Sequence, residues 1–177
     1  MKGNVREPGG CGAAAGFTMV ELMVTVAIIG ILAVVAVPAM TGLINNSRLS
    51  GLSGEVVSAV QFARSEAVRR NARVTLCASA DGLACSNAAD WSRWIVLAPD
   101  NTSGGTDVVL DGVAPGNAQV SGPAGRIVFR PSGLVVSQAQ LTACVPTTNP
   151  ENNRRIVTVG LSGSPVTTRA NGAGTCP

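Results

Sequence analysis

The sequence predicts an α+β protein: one long N-terminal helix, membrane-spanning in its first half and kinked at Pro38, packed on a small antiparallel β head. Three observations predict it. The 21-residue run Phe17 to Val37 is apolar apart from Thr18, Glu21, Thr25 and Gly30, and it ends at a proline. Beyond Pro38 apolar residues recur at steps of three or four to about residue 71. From Val74 onward the chain breaks into short β-type runs separated by Gly, Pro, Asn and Ser.

The first run has the length of a bilayer span: as a helix it reaches about 31 Å. A core helix of a soluble domain keeps one polar face, whereas this run is apolar all round beyond Thr25. Residues 17–37 are therefore read as the transmembrane half of the helix. Lys2 and Arg6 lie ahead of it, which by the positive-inside rule places the N-terminus in the cytoplasm and exports the remainder, a single pass. An ordinary secretory signal would be cut after the run, and Val34-Val35-Ala36 is a loose version of such a site. Small residues also cluster before the run, at Ala13 to Gly16. A cut between Gly16 and Phe17 would remove 1–16 as a leader, leave the apolar helix attached and give Phe17 a free amine.

Glu21 gains a purpose from that cut. A lone carboxylate at mid-bilayer costs about 2.5–3.5 kcal/mol on insertion scales. A new ammonium at Phe17, four residues away, and the helix N-terminus both favour an anion there. A pair formed with the amine of a neighbouring chain would couple helix docking to charge neutralisation.

The second half of the helix, 38–72, is amphipathic. Leu49, Leu52, Val56, Val60, Ala63 and Ala67 form its apolar stripe, and Arg64, Ser65, Arg69 and Arg70 fall mostly off it and are expected to be solvated. Proline within a membrane-spanning helix kinks it more often than it ends it, so 17 to about 71 is one bent helix. The head, 73–177, carries strand candidates at 74–78, 94–98, 107–110, 126–129, 133–136, 141–145 and 154–160, in one sheet or two small ones, with a flexible loop at 98–107. Trp91 and Trp94 are expected to cap a core whose other aromatics are Phe62 and Phe129.

Of the five cysteines, Cys11 leaves with the leader. The remaining four, in an exported head, suggest two disulfides. Three connectivities are open, and sequence order favours Cys77–Cys85 and Cys144–Cys176. Zinc is the rival, but no C-x2-C pair is present, so no metal is assigned. With no His, no nucleophile elbow and no phosphate loop, the sequence points away from an enzyme, a cofactor or a small-molecule substrate. The net charge of +3 is too small to argue for nucleic acid by itself.

GFTMVELMVTVAIIGILAVVAVP resembles the class III signal and N-terminal helix of type IV pilins and type II secretion pseudopilins. The resemblance implies that a prepilin peptidase cuts after Gly16 and N-methylates Phe17. It also implies that Glu21 pairs with an adjacent subunit's amine and that Pro38 bends the helix. FARSEAVRRNARVTLCASADG (62–82) and WSRWIVL (91–97) resemble minor pilins of the FimT/FimU type, which share a head with the pseudopilin GspH. That implies a minor pilin for priming or tipping a type IV pilus, whose partners are other pilins or pseudopilins, the prepilin peptidase and the bacterial inner membrane. A GspH-like role in type II secretion is the alternative, and a DNA-binding pilin a further one. The Gly-Arg-x-Arg motif of DNA-uptake relatives is replaced here by Gly163-Ser164-Pro165-Val166. Arg154, Arg155 and Arg169 are the remaining candidates for phosphate contact, so DNA binding is expected to be weak at most.

Overall fold

The computed structural model describes residues 16–100 and 104–177. The leader up to residue 15, with Cys11, and part of the 98–107 loop lie outside the described residues. The chain divides after Ala39 into two compact units. A single helix, α1 (Met19–Arg70), supplies the described part of the first and opens the second. Among the described residues no single helix is long and apolar enough to cross a membrane; Met19–Val34 and Ala39–Arg70 meet the length and hydropathy of a span only when taken together.

Both ends of α1 are set by local chemistry. Thr18 is the N-cap: its Oγ1 accepts from the Glu21 N–H at 3.2 Å, and its carbonyl accepts from Leu22 at 3.1 Å. Thr18-x-x-Glu21 is thus the sequence of a capping box. At the other end Asn71 adopts φ 51°, Asn71 N–H donates to Val68 O and Ala72 N–H to Ala67 O. This is a Schellman stop with Asn in the left-handed position that Gly usually takes.

Eight strands follow: β1 (Val74–Ala78), β2 (Arg93–Pro99), β3 (Thr106–Val113), β4 (Gln119–Ser121), β5 (Arg126–Phe129), β6 (Ala139–Cys144), β7 (Arg154–Val159) and β8 (Pro165–Ala170). They form two four-stranded antiparallel sheets, ordered β3-β2-β1-β5 and β4-β6-β7-β8. The stripe predicted on α1, from Leu49 to Ala67, is wholly buried, and it shares one core with Leu76, Val96 and Phe129 of the first sheet and Leu141 and Val157 of the second. The α+β fold expected from the sequence is the fold observed.

Trp91 and Trp94 are both buried in that core. Trp91 holds the seam between the sheets: its backbone N–H donates to Val120 O at 2.8 Å and its Nε1 to Pro123 O at 3.0 Å. Gly122 is required there, because a Cβ would run into Leu141 and the Trp91 indole. A loop of the second sheet grips the helix, with Asn45 Nδ2 donating to Asn149 O at 2.9 Å.

Three expectations are corrected. The run 133–136 is not a strand. After Pro131 the chain turns through Gly133 at φ 77°, leaving one bridge, Phe129↔Val135, before it passes to Leu161. β4 and β8 were not expected at all. Arg64 and Arg70 are half-buried rather than solvated: Arg64 donates to Ser164 Oγ at 3.3 Å, and Arg70 to Pro99 O at 2.6 Å.

Candidate assembly face

The N-terminal helix presents apolar side chains to the outside. Phe17 is 81 % exposed, and Met19, Val20, Leu22, Met23, Ile28, Ile29 and Leu32 are exposed with it. Gly16 has no atom near where a Cβ would stand, so nothing in the fold itself requires a glycine there. Glu21 lies in the first turn, at the positive end of the helix dipole, with an exposed side chain. Thr25 spends its hydroxyl proton on Leu22 O at 2.9 Å. Among the described residues of the first unit, Glu21 is therefore the one carboxylate in an apolar surface that is more than about 20 Å long at about 1.5 Å per residue.

The head is fastened twice. Cys77 is bonded to Cys85 and Cys144 to Cys176. The first bond folds the loop after β1 back on the sheet, where Ser79 Oγ accepts from Gly82 N–H at 2.9 Å and donates to Ala84 O at 2.7 Å. Asp81 accepts from the Leu83 and Ala84 N–H groups, and these bonds hold its carboxyl below the usual range. Arg93 closes the other side of this loop, packing under Gly82 and making a two-pronged pair with Asp111 at 3.0 and 2.6 Å.

The second bond secures the C-terminal segment, together with Asn153, a residue with no solvent exposure. Asn153 Nδ2 donates to Val145 O at 3.0 Å and Thr175 O at 3.2 Å, and its Oδ1 accepts from Gly172 N–H at 2.7 Å. Sequence reading missed Asn153, because its partners lie 8 to 22 residues away and leave no local pattern.

The three candidate phosphate contacts are not brought together as one basic surface. Arg154 donates to Thr175 O at 3.2 and 3.0 Å and to Thr175 Oγ1 at 3.2 Å, so it is part of the tail clamp. Arg155 is only 4 % exposed and donates to Asn152 O, Arg154 O and Asn46 Oδ1. Burial and the neighbouring positive charge of Arg169 push its guanidinium below its usual range. Arg169, directly across from it on β8, is exposed. Among the described residues no group of three or more His, Cys, Asp and Glu side chains could hold a metal.

A second missed residue, Glu66, is buried at the end of the helix. It accepts from Arg69 at 2.9 and 2.7 Å and from Arg70 at 2.7 Å. The Arg69 hydrogen bond is the largest cause holding its pKa at about 2 against an ordinary 4.5, burial opposing it and Arg70 helping. The i+3 and i+4 spacing was a legible signal for this pairing.

An apolar, Glu-bearing N-terminal helix leading into an amphipathic half that packs on a disulfide-fastened β head defines a type IV pilin-like protein. Residues 53–163 match the family described as type II transport protein GspH, and the chain belongs to that family. Residues 12–37 match the prokaryotic N-terminal methylation motif. Over 46 residues the chain is 48 % identical to a type IV major alpha-pilin and 46 % to fimbrial protein Q, both of Moraxella bovis. It spans 29 % of the length of these relatives and the match takes up 26 % of this chain. The fold resembles the crystal structure of the type IV minor pilin FimU of Pseudomonas aeruginosa, with a TM-score of 0.53 and 16 % identity, covering 75 % of this chain and 94 % of that one. It also resembles the minor pseudopilin EpsH of the Vibrio cholerae type 2 secretion system, with a TM-score of 0.50 and 12 % identity over 70 % and 97 % of the two chains.

Proposed function

We propose that this chain is a minor pilin or pseudopilin, a structural subunit that enters a filament through its N-terminal helix. The observation that carries this is the Thr18-capped Glu21, one carboxylate standing in the otherwise apolar and outward-facing first half of the helix. On this reading a prepilin peptidase cuts between Gly16 and Phe17 and methylates the new amine. Glu21 of one subunit then meets the amine of the next, which removes two charges from the apolar filament core together. Pro38 bends the helix between the membrane-spanning and head-packing halves. The protein waits in the inner membrane as a single pass, N-terminus cytoplasmic and head periplasmic, before joining the filament.

Assembly into a type IV pilus is the first reading, supported by the Moraxella pilins over the N-terminal segment and by the FimU-like fold. The GspH family match and the EpsH-like fold support a type II secretion pseudopilus as the second. DNA binding is not favoured, since Arg154 and Arg155 are engaged within the head.

Mass spectrometry of the membrane-extracted chain tests the proposal. The expected product begins at methylated Phe17. Gly16→Leu should accumulate as the uncut form, and a mature product of ordinary size from that variant, or a soluble product beginning near Pro38, would refute the reading.

A further inference from the structure

Asn171 and Gly172 are each fixed by the turn that follows β8. A Cβ on Gly172 would run into the Arg154 guanidinium and Asn153 Oδ1, side chains already tied to Thr175 O, so a glycine is required. Asn171 Oδ1 accepts from Ala173 N–H at 2.7 Å, an Asx turn that brings Ala173 to φ 50°. Its Nδ2 donates to Glu151 Oε1 at 3.2 Å. The turn thus joins asparagine to glycine, the one such pair in the chain. The pair carries a chemical liability, because glycine has no side chain to hinder its nitrogen from closing on the preceding carboxamide.

The closed structure opposes that reaction at both atoms. Gly172 is buried and its N–H donates to Asn153 Oδ1 at 2.7 Å, so the proton that must leave is held inside the head. The Asn171 carboxamide is meanwhile engaged by Ala173 and Glu151 rather than free to meet the Gly172 nitrogen. Asn153 is itself locked, without solvent exposure and with its Nδ2 on Val145 O and Thr175 O. Asn171 is exposed, so water reaches whatever forms there.

We infer that Asn171–Gly172 is a self-modification site, guarded by Asn153 and reactive when the C-terminal segment opens. Gly172 N then gives up its proton to solvent and attacks Asn171 Cγ. The new C–N bond closes a five-membered succinimide, and the amide nitrogen leaves as ammonia. Water adds to one of the two ring carbonyls and breaks its bond to nitrogen, which yields aspartate or, with the main chain rerouted through Cγ, isoaspartate. Nothing is oxidised or reduced. Either product sets a carboxylate beside Glu151 where an amide donor stood, so attraction becomes repulsion. Isoaspartate also adds a methylene to the backbone between Ala170, paired with Arg154, and the Gly172 N–H held by Asn153. The segment then cannot close as before, and its release becomes one-way.

Peptide-mapping mass spectrometry of the purified full chain, aged at neutral pH, tests this. Native chain should convert Asn171 at least tenfold more slowly than the same chain reduced and unfolded in urea, since only the open fraction reacts. Asn153→Leu, with both disulfides intact, should recover most of the unfolded rate. In the Cys144→Ala/Cys176→Ala background, Asn171→Asp should speed carboxypeptidase trimming at least tenfold, and adding Glu151→Gln should slow it again. Equal rates in the native and unfolded chains would overturn the guard, a comparison that needs no variant to fold. A folded Asn153→Leu chain that ages as slowly as the native one would overturn it too. Trimming of Asn171→Asp no faster than its background would overturn the one-way release.

Discussion

Arg155 on β7 donates from Nη2 to Asn46 Oδ1 on α1 at 2.6 Å, a bond between residues 109 apart in sequence. It ties the second sheet to the helix at the point where the head begins to grip it. The same guanidinium satisfies the Asn152 and Arg154 carbonyls through Nη1 at 2.9 and 3.0 Å. Arg155→Ala should therefore destabilise the fold by about 2–4 kcal/mol, since it strands buried acceptors. Arg169→Ala, on the exposed edge strand, should stay within about 0.5 kcal/mol. Urea unfolding of the two variants measures the difference, and equal midpoints would contradict the structural role given to Arg155.

These two arginines show what was legible in the sequence. The α1 stripe was readable because burial on one side of a helix forces a 3.6-residue period, and every residue named for it is buried. Strands β1, β2, β3, β5, β6 and β7 were readable as short apolar runs between turn residues. β8, PVTTRA, was not, because as an edge strand it is exposed along most of its length and carries no burial pattern. β4 has only three residues. Arg155 looked like Arg154 and Arg169 because charge alone says nothing of which face of a strand a residue occupies. The alternation Arg155, Val157, Val159 places it on the buried face, and that signal was available.

Glu66 makes the stability of the head fall in acid. Its pKa is lowered from 4.5 to about 2, so the folded state binds the proton less readily than the unfolded chain. Its contribution is complete above about pH 5 and is lost as pH falls through the range from 4.5 toward 2. Glu66→Gln should lower stability at pH 7 by about 1–3 kcal/mol and flatten the profile between pH 5 and 2. Thermal melts across that range check the sign; a variant whose acid slope equals that of the native chain would exclude Glu66 as its source.

The two disulfides should not contribute equally. Their sequence separations are 8 and 32 residues, so loop-closure entropy gives about 2.5 kcal/mol for Cys77–Cys85 and about 3.7 kcal/mol for Cys144–Cys176. Asn153 and Arg154 hold the Thr175 carbonyl independently of the second bond. A Cys144→Ala/Cys176→Ala double variant should accordingly remain folded with its C-terminal segment protected from carboxypeptidase. Adding Asn153→Leu should release the segment. Digestion of the double variant as fast as the triple one would show that the polar clamp does not act alone.

DNA affinity follows from which guanidinium groups are available. Arg154 and Arg155 are held by Thr175, Asn152 and Asn46, leaving Arg169 as the one member of the candidate trio facing solvent. A single arginine neutralises about one phosphate, and each such contact changes the logarithm of affinity by about 0.9 per tenfold change in salt. The chain also has no tyrosine, and its two tryptophans are buried, so stacking on bases has no exposed indole to use. A gel shift with duplex DNA should show no complex at physiological salt and only diffuse retardation at low salt. Arg169→Ala should reduce the salt slope by about 1. Tight binding at physiological salt that survives Arg169→Ala would place a nucleic-acid surface elsewhere on the head, with the exposed Arg73, Arg126 and Arg130 along β1 and β5 as the first positions to substitute.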